Sequence, residues 1–183
     1  LCNDSQLKNE NGKWRILGDP TEGALVVAAY KKELFKEILE KEFPRIDEIP
    51  FSSESKMMTT IHKHHSRLFA FSKGAGEKIL ERCKLDEPEK RQLLDKSDQM
   101  AREGLRVLAF AYREITEQLP RDKIEQEFNF MGFMGMIDSP RQEVKEAIMH
   151  CKEAGIKPVM ITGDHPLTAK AVASEIGILE KGL

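Results

Sequence analysis

The sequence predicts an α+β fold: a central, mostly antiparallel sheet flanked by helices, followed by a truncated α/β fragment. Three observations carry this reading. Apolar stretches at 56–62 and 68–72 read as a hairpin, and 105–112 and 128–137 add strands between helical segments. The character of the chain then changes at Asp138-Ser139-Pro140-Arg141. Beyond it, helix, short apolar strand and helix follow in turn, with a polar Thr162-Gly163-Asp164 crest at the strand's carboxyl end. That is the layout of a Rossmann-like parallel sheet, in which ligands gather at strand C-termini. One strand and two helices of this type cannot bury both faces of a sheet, so the fragment reads as truncated. The expected domains are 1–138 and a partial 139–183.

Composition narrows the class. A chain of 183 residues has room for one large or two small domains. Lys plus Arg (29) nearly balances Asp plus Glu (31), so no net field argues for nucleic acid or anionic lipid. An apolar content of 40% supports a real core. No run approaches the roughly 18 apolar residues of a spanning helix, and the start has no basic and apolar signal pattern. Leu1 stands where an initiator methionine would be, which predicts a piece of a longer protein. Cys2, Cys83 and Cys151 are far apart and read as free thiols of a reducing compartment. His62, His64 and His65 cluster on a strand or its turn, but no second ligand set stands at site spacing, so no metal site is assigned.

Residues 1–17 are polar around Trp14-Arg15-Ile16-Leu17 and read as a surface loop leading to a short strand or turn. Asp19 is the expected N-cap of the first helix, with Pro20 in its first position and Glu22 at the capping-box position. Leu25, Val26, Ala29, Leu34, Ile38 and Leu39 recur mostly at helical spacing, with a break after Tyr30. Glu22 is either a capping residue or a binding residue. Pro44 ends the second helix, and Arg45 to Phe51 runs extended into the turn Ser52-Ser53-Glu54-Ser55. Phe51 is either core or an aromatic platform for a planar base, with Lys56 nearby.

The hairpin 56–62 and 68–72 ends in Phe71-Ser72-Lys73-Gly74-Ala75-Gly76-Glu77, where a strand meets a lysine, two glycines and a helix start. Lysine there sits beside backbone N–H groups, a way to hold phosphate. An ordinary connection with a solvated lysine is the alternative. A helix over 89–103 is closed by Gly104. The strand 105–112 follows, with Arg106 the one charge in an apolar run, free to leave an edge or to pair with a carboxylate. Residues 113–127 are a charged surface segment, and 128–137 is the last strand of this unit. A helix from Glu143 to Ala154 turns Val144, Ala147, Ile148 and Cys151 to one side and stops at Gly155. Ile156 to Ile161 is the expected short strand, and Pro166 to Ile176 the last helix.

Taken together, these motifs resemble the cytoplasmic part of a P-type cation-transporting ATPase, most closely its calcium-pumping branch. Leu1-Cys2-Asn3-Asp4 resembles the opening of the nucleotide-binding domain, and Gly18-Asp19-Pro20-Thr21-Glu22 its Asp-Pro-Thr-Glu motif. Phe51-Ser52-Ser53-Glu54-Ser55-Lys56 is similar to the adenine-stacking segment, and Lys73-Gly74-Ala75-Gly76-Glu77 to the Lys-Gly-Ala-Pro-Glu signature. Gly104 to Ala109 resembles the later arginine segment, Asp138-Ser139-Pro140-Arg141 the hinge to the phosphorylation domain, and Met160 to His165 that domain's Thr-Gly-Asp motif. Seven motifs in the family's order span nearly the whole chain.

The resemblance implies an ATP site. Phe51 stacks on adenine, Glu22 hydrogen-bonds near the base, and Lys56, Lys73 and Gly74 line the pocket with Lys73 deepest. Arg106 reaches toward phosphate and Leu108 packs against the nucleotide. Thr162, Gly163 and Asp164 belong to the phosphoryl-transfer site. The implied parent is an ATP-driven pump passing through an aspartyl-phosphate, with Ca²⁺ indicated by Met57-Met58-Thr59-Thr60 and Thr162 to His165. Its partners are the remaining phosphorylation, actuator and transmembrane domains, and this segment stays on the cytoplasmic side without entering the membrane.

Three departures qualify the match. Gly76 replaces the signature's proline, which loosens the turn through unfolded-state entropy. Ser53 or Ser55 stands where many relatives carry a base, which weakens phosphate contacts. No Asp-Lys-Thr-Gly-Thr occurs, and no Gly-Asp-Gly-x-Asn-Asp follows residue 164. The nucleophile and most Mg²⁺ ligands are therefore expected outside the chain, which alone should bind ATP without turning it over. Two other readings stand beside this one. A soluble haloacid-dehalogenase-type phosphohydrolase would need an Asp-x-Asp or Asp-x-Thr nucleophile on an earlier strand. A nucleotide-independent scaffold would make Lys73 and Glu22 fold residues only.

Overall fold

The computed structural model describes residues 1–116 and 119–179. Positions 117, 118 and 180–183, within the predicted surface segment 113–127 and the predicted second domain, lie outside the described residues. Two compact units emerge, Leu1–Asp86 with Leu108–Phe133, and Glu87–Val107 with Met134–Leu183.

In the first unit, β1 (Gln6–Glu10) and β2 (Lys13–Leu17) form a two-stranded antiparallel hairpin where the sequence predicted a loop with a short strand or turn. The signal was present but short: Asn11 and Gly12 both have positive φ, the geometry that an Asn-Gly two-residue hairpin turn demands. Helix α1 (Pro20–Tyr30) follows, capped by the Asp19 carboxylate, which accepts from the Glu22 amide at 3.1 Å. Gly23 has a packing reason, since a Cβ there would stand 2.3 Å from Ile16 Cγ2. Its absence lets β2 lie directly on α1. Helix α2 (Lys36–Glu42) precedes the five-stranded sheet.

That sheet runs in the order β3 (Arg45–Ile49), β4 (Met57–His64), β5 (Arg67–Gly74), β6 (Arg106–Ile115) and β7 (Asn129–Met136). The first three ladders are antiparallel, and the β4–β5 ladder is the hairpin expected from 56–62 and 68–72. Strand β4 is buried from Met57 through His62, so both sheet faces are covered there. On one face Met57, Ile61, Ala70, Ala109 and Ala111 pack with Ile79, Cys83, Ile124 and Phe128 into the core. Helix α3 (Gly76–Glu81) covers this side. The opposite face is set by the register Met58↔Lys73, Thr60↔Phe71 and His62↔Phe69, extended into β6 by Lys73↔Phe110. Period-two alternation puts Leu108 on this second face as well.

His62 is a buried titratable group on that face. Its Nδ1 lies 2.8 Å from the Phe43 carbonyl, which only accepts, so Nδ1 carries the proton; Nε2 lies 2.9 Å from Thr60 Oγ1. Burial, against the pull of the Phe43 carbonyl, lowers the imidazole below its usual 6.5. The unfolded chain therefore takes the proton first. This contribution to stability is fully present above about pH 6.5 and declines as pH falls toward the lowered value. Urea midpoints measured at pH 7.5 and 5.5 should drop on acidification, and His62→Gln should flatten that drop.

The second unit contains α4 (Glu87–Arg102), α5 (Glu143–Glu153) and α6 (Pro166–Glu175). Gly104, at φ +82°, ends α4 as predicted, and its amide donates to the Ala101 carbonyl at 3.0 Å. Helix α6 is fixed to the segment that follows α4 by Thr168 Oγ1, which donates to the Leu105 carbonyl at 2.8 Å. The predicted strand Ile156 to Ile161 does not form; the backbone there is irregular. The reason is physical. A parallel strand needs neighbours for its ladder, and among the described residues nothing pairs with it, so Val159 and Ile161 stay 76% and 94% exposed. Of the predicted α5 face, Val144, Ile148 and Cys151 are half-buried while Ala147 is exposed.

Candidate nucleotide site

Lys73 lies one residue before the end of β5, buried and facing away from the core. An ammonium in that position needs a partner, and it has one: Nζ donates to Glu22 Oε1, with both side chains largely buried. The other carboxylate oxygen, Oε2, accepts the backbone amides of Asp4 at 2.7 Å and Ser5 at 3.1 Å. Glu22 is thus not the reciprocal capping-box residue that its spacing allowed. Asp19 caps the helix, while the Glu22 carboxylate turns to Lys73 and the irregular entry segment before β1. Asn3 Nδ2 donates to the Glu22 carbonyl at 2.9 Å, and Ser5 Oγ to the Asp19 carbonyl at 2.9 Å, tying that segment to the first turn of α1.

The turn before β4 carries Phe51, which is 61% exposed. Of the two readings left open for this ring, core is therefore excluded. The turn is held by Ser52, whose Oγ accepts the Ser55 amide at 3.0 Å and whose carbonyl accepts the Lys56 amide at 2.8 Å. Lys56 has a left-handed backbone at φ +53°, and its ammonium stands 3.7 Å from Glu77. Its carbonyl accepts the Ala75 amide at 3.1 Å, pinning the turn to the start of α3. Gly74, the last residue of β5, is buried, and only glycine fits there, since a Cβ would stand 2.4 Å from that same carbonyl oxygen. Cys2 lies on this face too, its Sγ 3.4 Å from the Met58 carbonyl. Burial pushes its thiol up, and the Lys73 cation partly opposes this.

The remaining predicted residues divide between the units. Leu108 is half-buried in the first. In the second, the Arg106 guanidinium donates twice to Asp164 Oδ1, from Nε at 2.9 Å and Nη2 at 2.5 Å. Thr162 Oγ1 accepts the Asp164 amide at 3.1 Å, and Gly163 sits between them in open space. The structure thus joins Glu22 with Lys73, and Arg106 with Asp164 and Thr162. The sequence reading missed the Asp4 and Ser5 amides that hold Glu22, because backbone donors leave no residue-type signature. Among the described residues no cluster of His, Cys, Asp and Glu is arranged to hold a metal ion, and no helix is long and apolar enough to cross a membrane.

This arrangement defines a class: an antiparallel-sheet domain with a buried cation–carboxylate pair on one sheet face and an exposed aromatic at a neighbouring turn. Comparison with known proteins narrows it. The family model for the P-type ATPase cytoplasmic domain N matches residues 1–143, and the chain belongs to that family. It is 44% identical to calcium-transporting ATPase 1 of Bacillus cereus, over 98% of this chain and 21% of that protein. It is also 40% identical to a cation-transporting ATPase of Synechocystis, over 100% of this chain and 21% of that protein. A sodium/potassium exporting P-type ATPase of Schizosaccharomyces pombe is 42% identical over 98% of this chain and 18% of its own length. The chain therefore spans about a fifth of the length of these relatives.

Proposed function

We propose that this chain is the ATP-capturing portion of an ATP-driven cation pump, presenting the terminal phosphate to an aspartate outside the chain. The observation that carries this is the buried Lys73–Glu22 pair on the face of the sheet away from the core. A fold needs no ion pair there, and replacing such a pair by apolar residues is often stabilising. In this reading Phe51 stacks on the base, Glu22, Lys56, Lys73, Gly74 and Leu108 form the pocket wall, and Arg106 meets phosphate. Thr162, Gly163 and Asp164 support the phosphoryl-transfer site, where Mg²⁺ is held mostly by residues beyond this chain.

The proposed domains are 1–138 for nucleotide capture and 139–183 for part of the phosphorylation domain, hinged near Asp138 to Pro140. The parent's remaining phosphorylation, actuator and transmembrane domains are its partners, and these residues occupy its cytoplasmic side. Ca²⁺ is the proposed ion, supported by the motif flavour at Met57 to Thr60 and by relatives named as calcium transporters. The test of nucleotide capture is calorimetric titration with ATP, with and without Mg²⁺. Saturable binding is expected, and Phe51→Ala should weaken it about 10-fold to 100-fold, the worth of one base–aromatic stack. Because Phe51 is exposed, its urea midpoint should barely move. A well-folded wild-type chain that bound no ATP would overturn the reading.

A further inference from the structure

Lys36 is the first residue of α2, far from every motif of the sequence, and its side chain is only 12% exposed. Its ammonium donates to the Asn3 carbonyl at 2.7 Å and the Ser5 carbonyl at 2.8 Å, with Glu40 Oε1 at 3.5 Å. The Asn3 carbonyl and the Asp4 amide belong to one peptide unit. Its oxygen faces the Lys36 cation while its N–H, 2.7 Å away, faces the Glu22 carboxylate. A peptide held between a cation and an anion is polarised in the sense that strengthens both bonds. Glu22 Oε2 is thereby fixed and part of its charge is neutralised, which leaves Oε1 directed at Lys73.

We infer that Lys36 is a positioning residue of the nucleotide site, acting through the Asn3–Asp4 peptide and Glu22 to set the ammonium of Lys73. This rests on the ATP-binding reading above. With Lys36 neutralised, the entry segment loosens, the Glu22 carboxylate turns more fully onto Lys73, and the ammonium is held back from the nucleotide. A purely structural Lys36 would lower stability without any dependence on Glu22. The pathway therefore predicts non-additivity between the two positions.

The experiment is a double-mutant cycle on the whole chain, read by ATP titration at a temperature where each variant is folded by circular dichroism. Lys36→Met should raise the ATP Kd about tenfold in the wild-type background and less than about twofold beside Glu22→Gln. Lys36→Arg, which keeps the charge and the donors, should restore affinity to within about threefold. Additive effects, or a Kd unmoved by Lys36→Met, would overturn the inference. Should Lys36→Met fail to fold, Lys36→Gln keeps a donor without the charge and is read against the same criteria. A second readout needs no nucleotide: the ¹⁵Nζ resonance of Lys73 should move in Lys36→Met and stay put when Glu22→Gln is already present. If wild type binds no ATP, the functional reading fails while that resonance still decides the coupling.

Discussion

Lys73→Ala is expected to weaken ATP binding by about 30-fold or more and, separately, to lower the stability of the chain by about 3 kcal/mol. The stability loss follows from what remains. Glu22 stays largely buried, and breaking a buried pair by removing one partner leaves an uncompensated charge, at about 3–5 kcal/mol. The low end applies because Oε2 keeps the Asp4 and Ser5 amides. The affinity loss has a different origin, since truncating one member of a buried, hydrogen-bonded charge pair at a binding site costs on the order of 2–5 kcal/mol, or about 30-fold to 5,000-fold. The two effects separate experimentally. Urea unfolding reports the first, and titration in buffer that keeps the variant folded reports the second. Lys73→Arg keeps the charge but not the compact ammonium, so it should recover much of the stability and little of the affinity. Stability lost with affinity intact would make Lys73 a fold residue, as the scaffold reading holds.

Much of the fold was legible because it rests on residue-type patterns. The β4–β5 hairpin, the Asp19 cap, the Gly104 stop and the antiparallel sheet all follow from periodicity and turn chemistry. What escaped depends on partners remote in sequence. The hairpin of β1 and β2 is mostly polar, so alternation said little, and only Asn11-Gly12 marked it. Ile156 to Ile161 has a strand's composition but no ladder, because strand formation belongs to the sheet and not to the segment. At the site, Glu22, Lys73 and Phe51 were named from motifs. Their arrangement was not, since the amides of Asp4 and Ser5 and the ammonium of Lys36 reach Glu22 and its neighbours through space. Arg106 shows the same limit. The sequence left open an edge position or a carboxylate partner, and the structure gives it Asp164, 58 residues away.

Gly74 and Gly163, two glycines of the proposed site, make the final contrast, because the structure constrains one and not the other. At Gly74 a Cβ would stand 2.4 Å from the Lys56 carbonyl oxygen and 2.9 Å from Met57 Cα, backbone atoms at the start of β4 and of the residue before it. Gly74 is opposite Met57 in the ladder, so the clash has no flexible side chain to absorb it. Gly74→Ala must push β4 from β5 or break the Ala75-to-Lys56 hydrogen bond, and should destabilise by about 3 kcal/mol. Because Lys73 is the adjoining residue, ATP affinity should fall with it. At Gly163 a Cβ meets nothing within 4 Å, and its φ is not in the left-handed region. Gly163→Ala should therefore shift the stability of this chain by no more than about 0.5 kcal/mol. Urea unfolding of both variants side by side checks the pair. If Gly163 supports phosphoryl transfer, its substitution is silent in this chain and lowers phosphoenzyme formation only in the parent pump. A large unfolding effect at Gly163 would instead mean that its constraint is one of folding, and would remove the reason to give that crest a catalytic role.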